Sequence, residues 1–186
     1  MQTFISIRTS IKALQLPCLV FLVCVLGGDF SASAQNIQVR GDLEFNLLDF
    51  AQIPGTAALG TNSSISYSGG LNGSGFGTPG EIRVTGKNGT TVDISCSSTA
   101  ALSNEVDTVG VISIEMVVGT GTSVGGPGSV SCAGVGLNII QLTTGNSNPN
   151  TALIGATLST SGTESGGDYD TASAGGTAIV VEMVVP

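Results

Sequence analysis

The groups in this 186-residue chain with any capacity for chemistry are four cysteines, thirteen carboxylates and two tyrosines; histidine and tryptophan are absent. Losing imidazole removes the commonest general base and the commonest neutral metal ligand. The carboxylates are spread singly, and Asp168-Tyr169-Asp170 is their densest cluster. An acidic loop of that kind can contribute to a calcium site, but this one lacks the further ligand positions and the glycine of a dedicated calcium loop. It reads as a solvated turn, as do Glu105 and Asp107. Gly73-Ser74-Gly75 and Gly119-Thr120-Gly121 have the glycine spacing of phosphate-binding loops, yet neither opens a helix after a parallel strand, so surface loop is the expectation for both. No catalytic residue, cofactor or metal site is therefore expected, and the chain does not read as an enzyme.

The first thirty-four residues carry a different message. Arg8 and Lys12 are the only early charges, an apolar run extends from Leu14 to Leu26, and Ala32-Ser33-Ala34 supplies small residues at cleavage spacing. A basic start, an apolar stretch too short to span a bilayer and a small-residue site make a secretory signal peptide over 1–34. The expected mature protein starts at Gln35, forms one domain over 35–186 and is exported to the periplasm, the outer surface or the medium, with no membrane insertion after cleavage. It keeps three basic residues (Arg40, Arg83 and Lys87) against twelve acidic ones, a net charge of −9. So few cations exclude an electropositive surface for nucleic acid. Of the cysteines, Cys18 and Cys24 leave with the leader. Cys96 and Cys132 remain, and a metal site would need ligands that do not exist. In an oxidising compartment this pair is expected to form one disulfide.

The elements that hold these groups announce themselves by alternation. Val92, Ile94 and Cys96 alternate with polar residues, as do Ile82 and Val84 before them; Lys87-Asn88-Gly89 between the two runs has hairpin-turn chemistry. Ile112, Ile114, Met116 and Val118 form a further face, and Val130 and Cys132 another. Leu137-Asn138-Ile139 and Ile140-Gln141-Leu142 are out of phase, which predicts a β-bulge near Ile139–Ile140. The run Ala178 to Val185 is almost wholly apolar and predicts a strand covered on both faces or held by a partner. Helical periodicity is absent after residue 35. Eight or nine short strands joined by glycine-rich turns predict an all-β, immunoglobulin-like antiparallel β-sandwich.

Several short motifs add a resemblance. Leu47-Leu48-Asp49-Phe50-Ala51-Gln52-Ile53-Pro54-Gly55 resembles the opening of a secreted bacterial domain family, the domain-of-unknown-function family 4402, which is fimbrillin-like. Ile154-Gly155-Ala156-Thr157-Leu158, then Gly167-Asp168-Tyr169 and the terminal Ile179–Val185 strand resemble its closing pattern. Ala51 stands where that opening has glycine, and the paired cysteines are not part of the pattern. A looser similarity is to spore-coat-U-like and chaperone–usher pilin domains. The resemblance implies a Gram-negative surface protein, a fimbrial-type subunit acting in adhesion or surface assembly, with copies of itself, other fimbrial subunits and an export chaperone as partners.

The residues add one observation of their own. From Asn36 to Leu47 the odd positions are Ile37, Val39, Gly41, Leu43, Phe45 and Leu47, and the even ones are polar. This run is either a strand donated to a neighbour's open sheet, with side-chain pockets at every second residue, or the first strand of the chain's own sandwich. With Ile179, Val181, Met183 and Val185 of the last strand, it forms the candidate set of pairing edges. The alternative function is a monomeric binding module for a glycan or a protein, although a chain without tryptophan lacks the usual sugar-stacking platform.

Overall fold

The computed structural model of the chain describes residues 4–9, 11–14, 35–120, 123–124, 128–134, 136–145 and 150–184. Those residues form fifteen strands and no helix: β1 (Phe4–Thr9), β2 (Ile11–Leu14), β3 (Asn36–Gly41), β4 (Leu43–Leu59), β5 (Ile65–Gly73), β6 (Gly80–Thr85), β7 (Thr91–Cys96), β8 (Ala100–Ser103), β9 (Thr108–Thr120), β10 (Ser123–Val124), β11 (Val130–Ser131), β12 (Ile140–Thr143), β13 (Thr151–Thr160), β14 (Gly167–Asp170) and β15 (Ile179–Val184).

The strands make a β-sandwich. The larger sheet runs β10-β9-β8-β14-β1-β4-β13-β6-β3, with β11 on β9 and β5 on β4; the smaller runs β12-β7-β15-β2. The larger sheet curls until β13 also pairs with β9, so its pairings close a ring through β9, β8, β14, β1, β4 and β13. Every pairing is antiparallel except β1 with β14 and β2 with β15. Strict alternation delivers the core. Ile82 and Val84 on β6, Val92 and Ile94 on β7, and Ile114 and Met116 on β9 are all buried in one cluster that joins both sheets.

Several local expectations change with tertiary context. The Lys87-Asn88-Gly89 turn is present, with Gly89 at φ 80°, but β6 and β7 do not pair with each other. The turn carries the chain from one sheet to the other, and Thr144 after β12 ties it down, donating its N–H to the Thr90 carbonyl at 2.8 Å. The out-of-phase stretch before Ile140 is not a bulge: Asn138 takes a left-handed φ of 48° in a turn, and β12 only begins at Ile140. The slip falls instead on β9. Ser113 faces Thr157 and Val111 faces Leu158, which leaves Ile112 as the extra residue, 56% exposed. The surface loops expected at Gly73-Ser74-Gly75 and Gly119-Thr120-Gly121 are strand in part, since β5 pairs with β4 through Gly73 and β9 pairs with β10 through Gly119 and Thr120; Gly121 lies outside the described residues. Gly69 is needed in β5: at φ 65° it lies so close to Pro54 that an added Cβ would come within 2.2 Å of that residue's carbonyl oxygen. β15 is covered fully on one face, where Ile179 and Val181 are buried, and only in part on the other, where Glu182 is buried, Val180 is half-buried and Val184 is exposed.

Candidate functional site

The expected disulfide is formed. Cys96 ends β7 in the smaller sheet and Cys132 follows β11 on the larger one, with Cα atoms 5.1 Å apart. Both are buried, because each continues the inward face of its own strand. Backbone bonds fix the approach: Cys132 donates to the Ile114 carbonyl at 2.8 Å, and Gly134 donates to the Cys96 carbonyl at 3.1 Å.

Asp168-Tyr169-Asp170, expected as a solvated turn, is strand instead: it makes up most of β14, paired with β1 on one side and β8 on the other, because the inward Tyr169 is buried in the core. The neighbouring carboxylates hold loops in place. Asp107 accepts the Ser165 N–H at 2.7 Å and its hydroxyl at 2.5 Å, and the Ser165 hydroxyl and N–H hold its carboxyl below the usual carboxylate range. Asp170 caps its own turn, accepting from the N–H of Ala172 (2.8 Å) and Ser173 (2.6 Å), and its pKa is lowered by the Ser173 bonds above all. Partial burial works against ionisation of Glu164, but bonds from the Ser161 and Gly162 amides outweigh it and the pKa falls. Tyr169 is fully buried, and its hydroxyl donates to the Ser165 carbonyl at 2.8 Å; burial pushes the phenol pKa up. A buried tyrosine hydrogen-bonded to backbone a few residues upstream is a recurrent anchor of sandwich corners. Among the described residues no group of three Cys, Asp or Glu side chains converges as a metal site.

The candidate pairing residues are divided by the fold. β3 lies at the end of the larger sheet and, among the described residues, pairs only with β6. Within it Ile37 is buried, Val39 is 38% exposed, and Gly41 stands opposite Glu81 after a one-residue slip. Leu43 and Phe45 begin β4 and are fully buried, so this part of the alternating run belongs to the chain's own core. A second slip follows, with Asn46 at φ 51°, and the inward positions pass from odd to even: Phe45 is inside, then Leu48. Leu47 stands opposite Ser6 in the ladder. On β15, Ile179 and Val181 are fully buried and Met183 packs partly buried against the core. Val185 lies outside the described residues.

One arrangement had no signal in the sequence. Two described stretches of the segment expected to be a leader, Phe4–Thr9 and Ile11–Leu14, take places in the two sheets. Phe4–Thr9 fills the place between β4 and β14, facing Leu43–Asp49 on one side and Gly167–Asp170 on the other. Ile11–Leu14 then extends the smaller sheet along Ile179–Glu182. The expected cleavage residues Ala32-Ser33-Ala34 lie outside the described residues, and no helix among the described residues is long and apolar enough to cross a membrane.

Comparison of the chain with models of known protein families, with curated proteins and with solved structures finds no match in any of the three.

Proposed function

We propose that the chain is an exported structural subunit of a surface assembly, fimbrial in type, which completes its sheets with a strand from a second copy. The observation that carries this reading is the position of Phe4–Leu14. Removal of residues 1–34 at the expected cleavage site opens the ring of the larger sheet between β4 and β14 and leaves β15 with a free edge. At about 4.8 Å between neighbouring strands, the gap is one strand wide, with backbone donors and acceptors unpaired along both walls. An edge of that kind is a template for another chain.

The donor with least to lose is Asn36–Gly41 of the second copy. It sits at a sheet edge, holds one ladder and buries only Ile37 deeply, whereas Leu43 and Phe45 are locked in the core. The resemblance of Leu47–Gly55 and Ile154–Leu158 to a fimbrillin-like secreted family points the same way.

The test is light scattering after size-exclusion chromatography on residues 35–186 produced in an oxidising compartment, with and without a synthetic Phe4–Leu14 peptide. Oligomers that resist mild denaturant and are capped by the peptide are the expected result. A stable monomer indifferent to the peptide would refute strand exchange and leave the monomeric binding module as the working reading.

A further inference from the structure

The register of the larger sheet builds a groove on its outer face, at the point where β13 leaves β6 and joins β4. Ile154 is the last residue of β13 paired with β6 and Ala156 the first paired with β4, so Gly155 sits at the fork. An added Cβ there would lie 2.6 Å from the Leu59 carbonyl oxygen and 3.1 Å from a carboxylate oxygen of Glu115. The missing side chain leaves room for that carboxylate to lie across the fork.

The same register surrounds it with short hydroxyl side chains. Ser131 and Gly155 flank Glu115 on the neighbouring strands. One row along, Ser113, Thr157, Ala58 and Ser66 stand side by side across four strands. Glu115, Ser131, Ser113, Thr157, Ala58 and Ser66 line a cavity of about 270 Å³, in which Glu115 is the one ionisable group among the described residues. Among the described residues nothing hydrogen-bonds the Glu115 carboxylate or the hydroxyls of Ser113 and Thr157, so these acceptors are available to a ligand.

We propose that this groove, independently of any strand exchange, is a binding site for a small primary ammonium group. An ammonium brings three donors and no acceptor, which suits one carboxylate flanked by hydroxyl oxygens. The chain's net charge of −8 favours cations at the surface, and no cationic side chain lines the groove to compete. Calcium would require six to eight oxygens and normally several carboxylates. A sugar would be expected to stack on an aromatic ring, and none lines the cavity. The volume is below the range of drug-sized pockets, so the ligand is a short alkylamine.

The probe is n-butylammonium, titrated into the ¹⁵N-labelled 186-residue protein, with n-butanol, calcium chloride and methyl glucoside as controls. The expected result is a saturable shift of the Gly155 and Thr157 amides with the ammonium alone. Glu115→Gln keeps size and shape at a half-buried position and should weaken the response by roughly tenfold with an unchanged thermal midpoint. Ser113→Ala should weaken it to a smaller degree. The proposal is overturned if no saturable shift occurs, if Glu115→Gln responds as the wild type does, or if butanol, calcium or the glucoside gives an equal or stronger response.

Discussion

Removing the bridge between the sheets should cost this protein a large part of its stability, by an amount that the chain separation sets. Cys96 and Cys132 close a loop of 36 residues. The chain-entropy relation gives about 13 cal/mol/K for a loop of that length, or about 4 kcal/mol at 25 °C. In a domain of this size each kcal/mol moves the melting midpoint by roughly 2–4 °C, so the shift should be about 8–16 °C. The assay is urea and thermal unfolding of three species: the oxidised chain, the reduced chain, and the Cys96→Ala/Cys132→Ala variant. The reduced chain keeps both sulfurs in the core and isolates the loop effect. The double variant also loses buried contacts and should be slightly less stable again. The urea m-value should rise in both, since an uncrosslinked unfolded state exposes more surface. A reduced chain within about 1 kcal/mol of the oxidised one, at unchanged m, would refute the view that this bridge acts by constraining the unfolded chain between β7 and β11.

Gly155→Ala should destabilise by about 1–3 kcal/mol, because the new methyl meets the Leu59 carbonyl, which the β4–β13 ladder prevents from yielding; a neutral effect in urea would mean that the fork is plastic. Tyr169→Phe should cost about 1 kcal/mol for the lost bond to Ser165. The wild-type phenol has its pKa raised in the fold, so its contribution is complete below about pH 10 and is lost as pH rises through the folded value, a loss that Tyr169→Phe should abolish in alkaline melts. Asp107, Glu164 and Asp170 run the opposite way. Their lowered values stabilise the fold above about pH 4, and that stability is lost as pH falls through the folded values. Asp107→Asn should flatten the acid limb of a pH series of urea midpoints; an unchanged limb would show that the Ser165 bonds are not coupled to folding.

How much could be read without coordinates is visible residue by residue. Alternation placed Val92, Ile94, Cys96, Ile114 and Met116 on inward faces, and all are buried. The reason is local: a strand's side chains repeat every two residues, so one buried face imprints the sequence directly. The same rule failed at Ile112, whose apolar character fits the face but which a bulge turns outward. It failed again at the Lys87–Gly89 turn, whose chemistry specifies a reversal but not which strands come to lie side by side. The Glu105–Asp107 loop reads correctly, and the turn after Asp170 is local because an Asp that bonds the amides two and three residues ahead needs only its neighbours. Asp168-Tyr169-Asp170 itself does not read correctly, because its place as a strand between β8 and β1 is set by the sheet and not by its own residues.

The sequence alone determined the strand character and most of the inward faces, since each depends on residue type and short spacing. The Cys96–Cys132 pairing was expected from an oxidising compartment, and the fold brings the two Cα atoms, 36 residues apart in the chain, to 5.1 Å. Only the tertiary structure decided which strands share a sheet, that the larger sheet closes on itself through β13 and β9, and that Phe4–Thr9 holds the place between β4 and β14. It also decided that Gly155, read as one letter of a short motif, sits at a fork beside Glu115. Backbone hydrogen bonds are alike for every residue. Which edge meets which is therefore settled by how the whole core closes, and no stretch of sequence carries that information by itself.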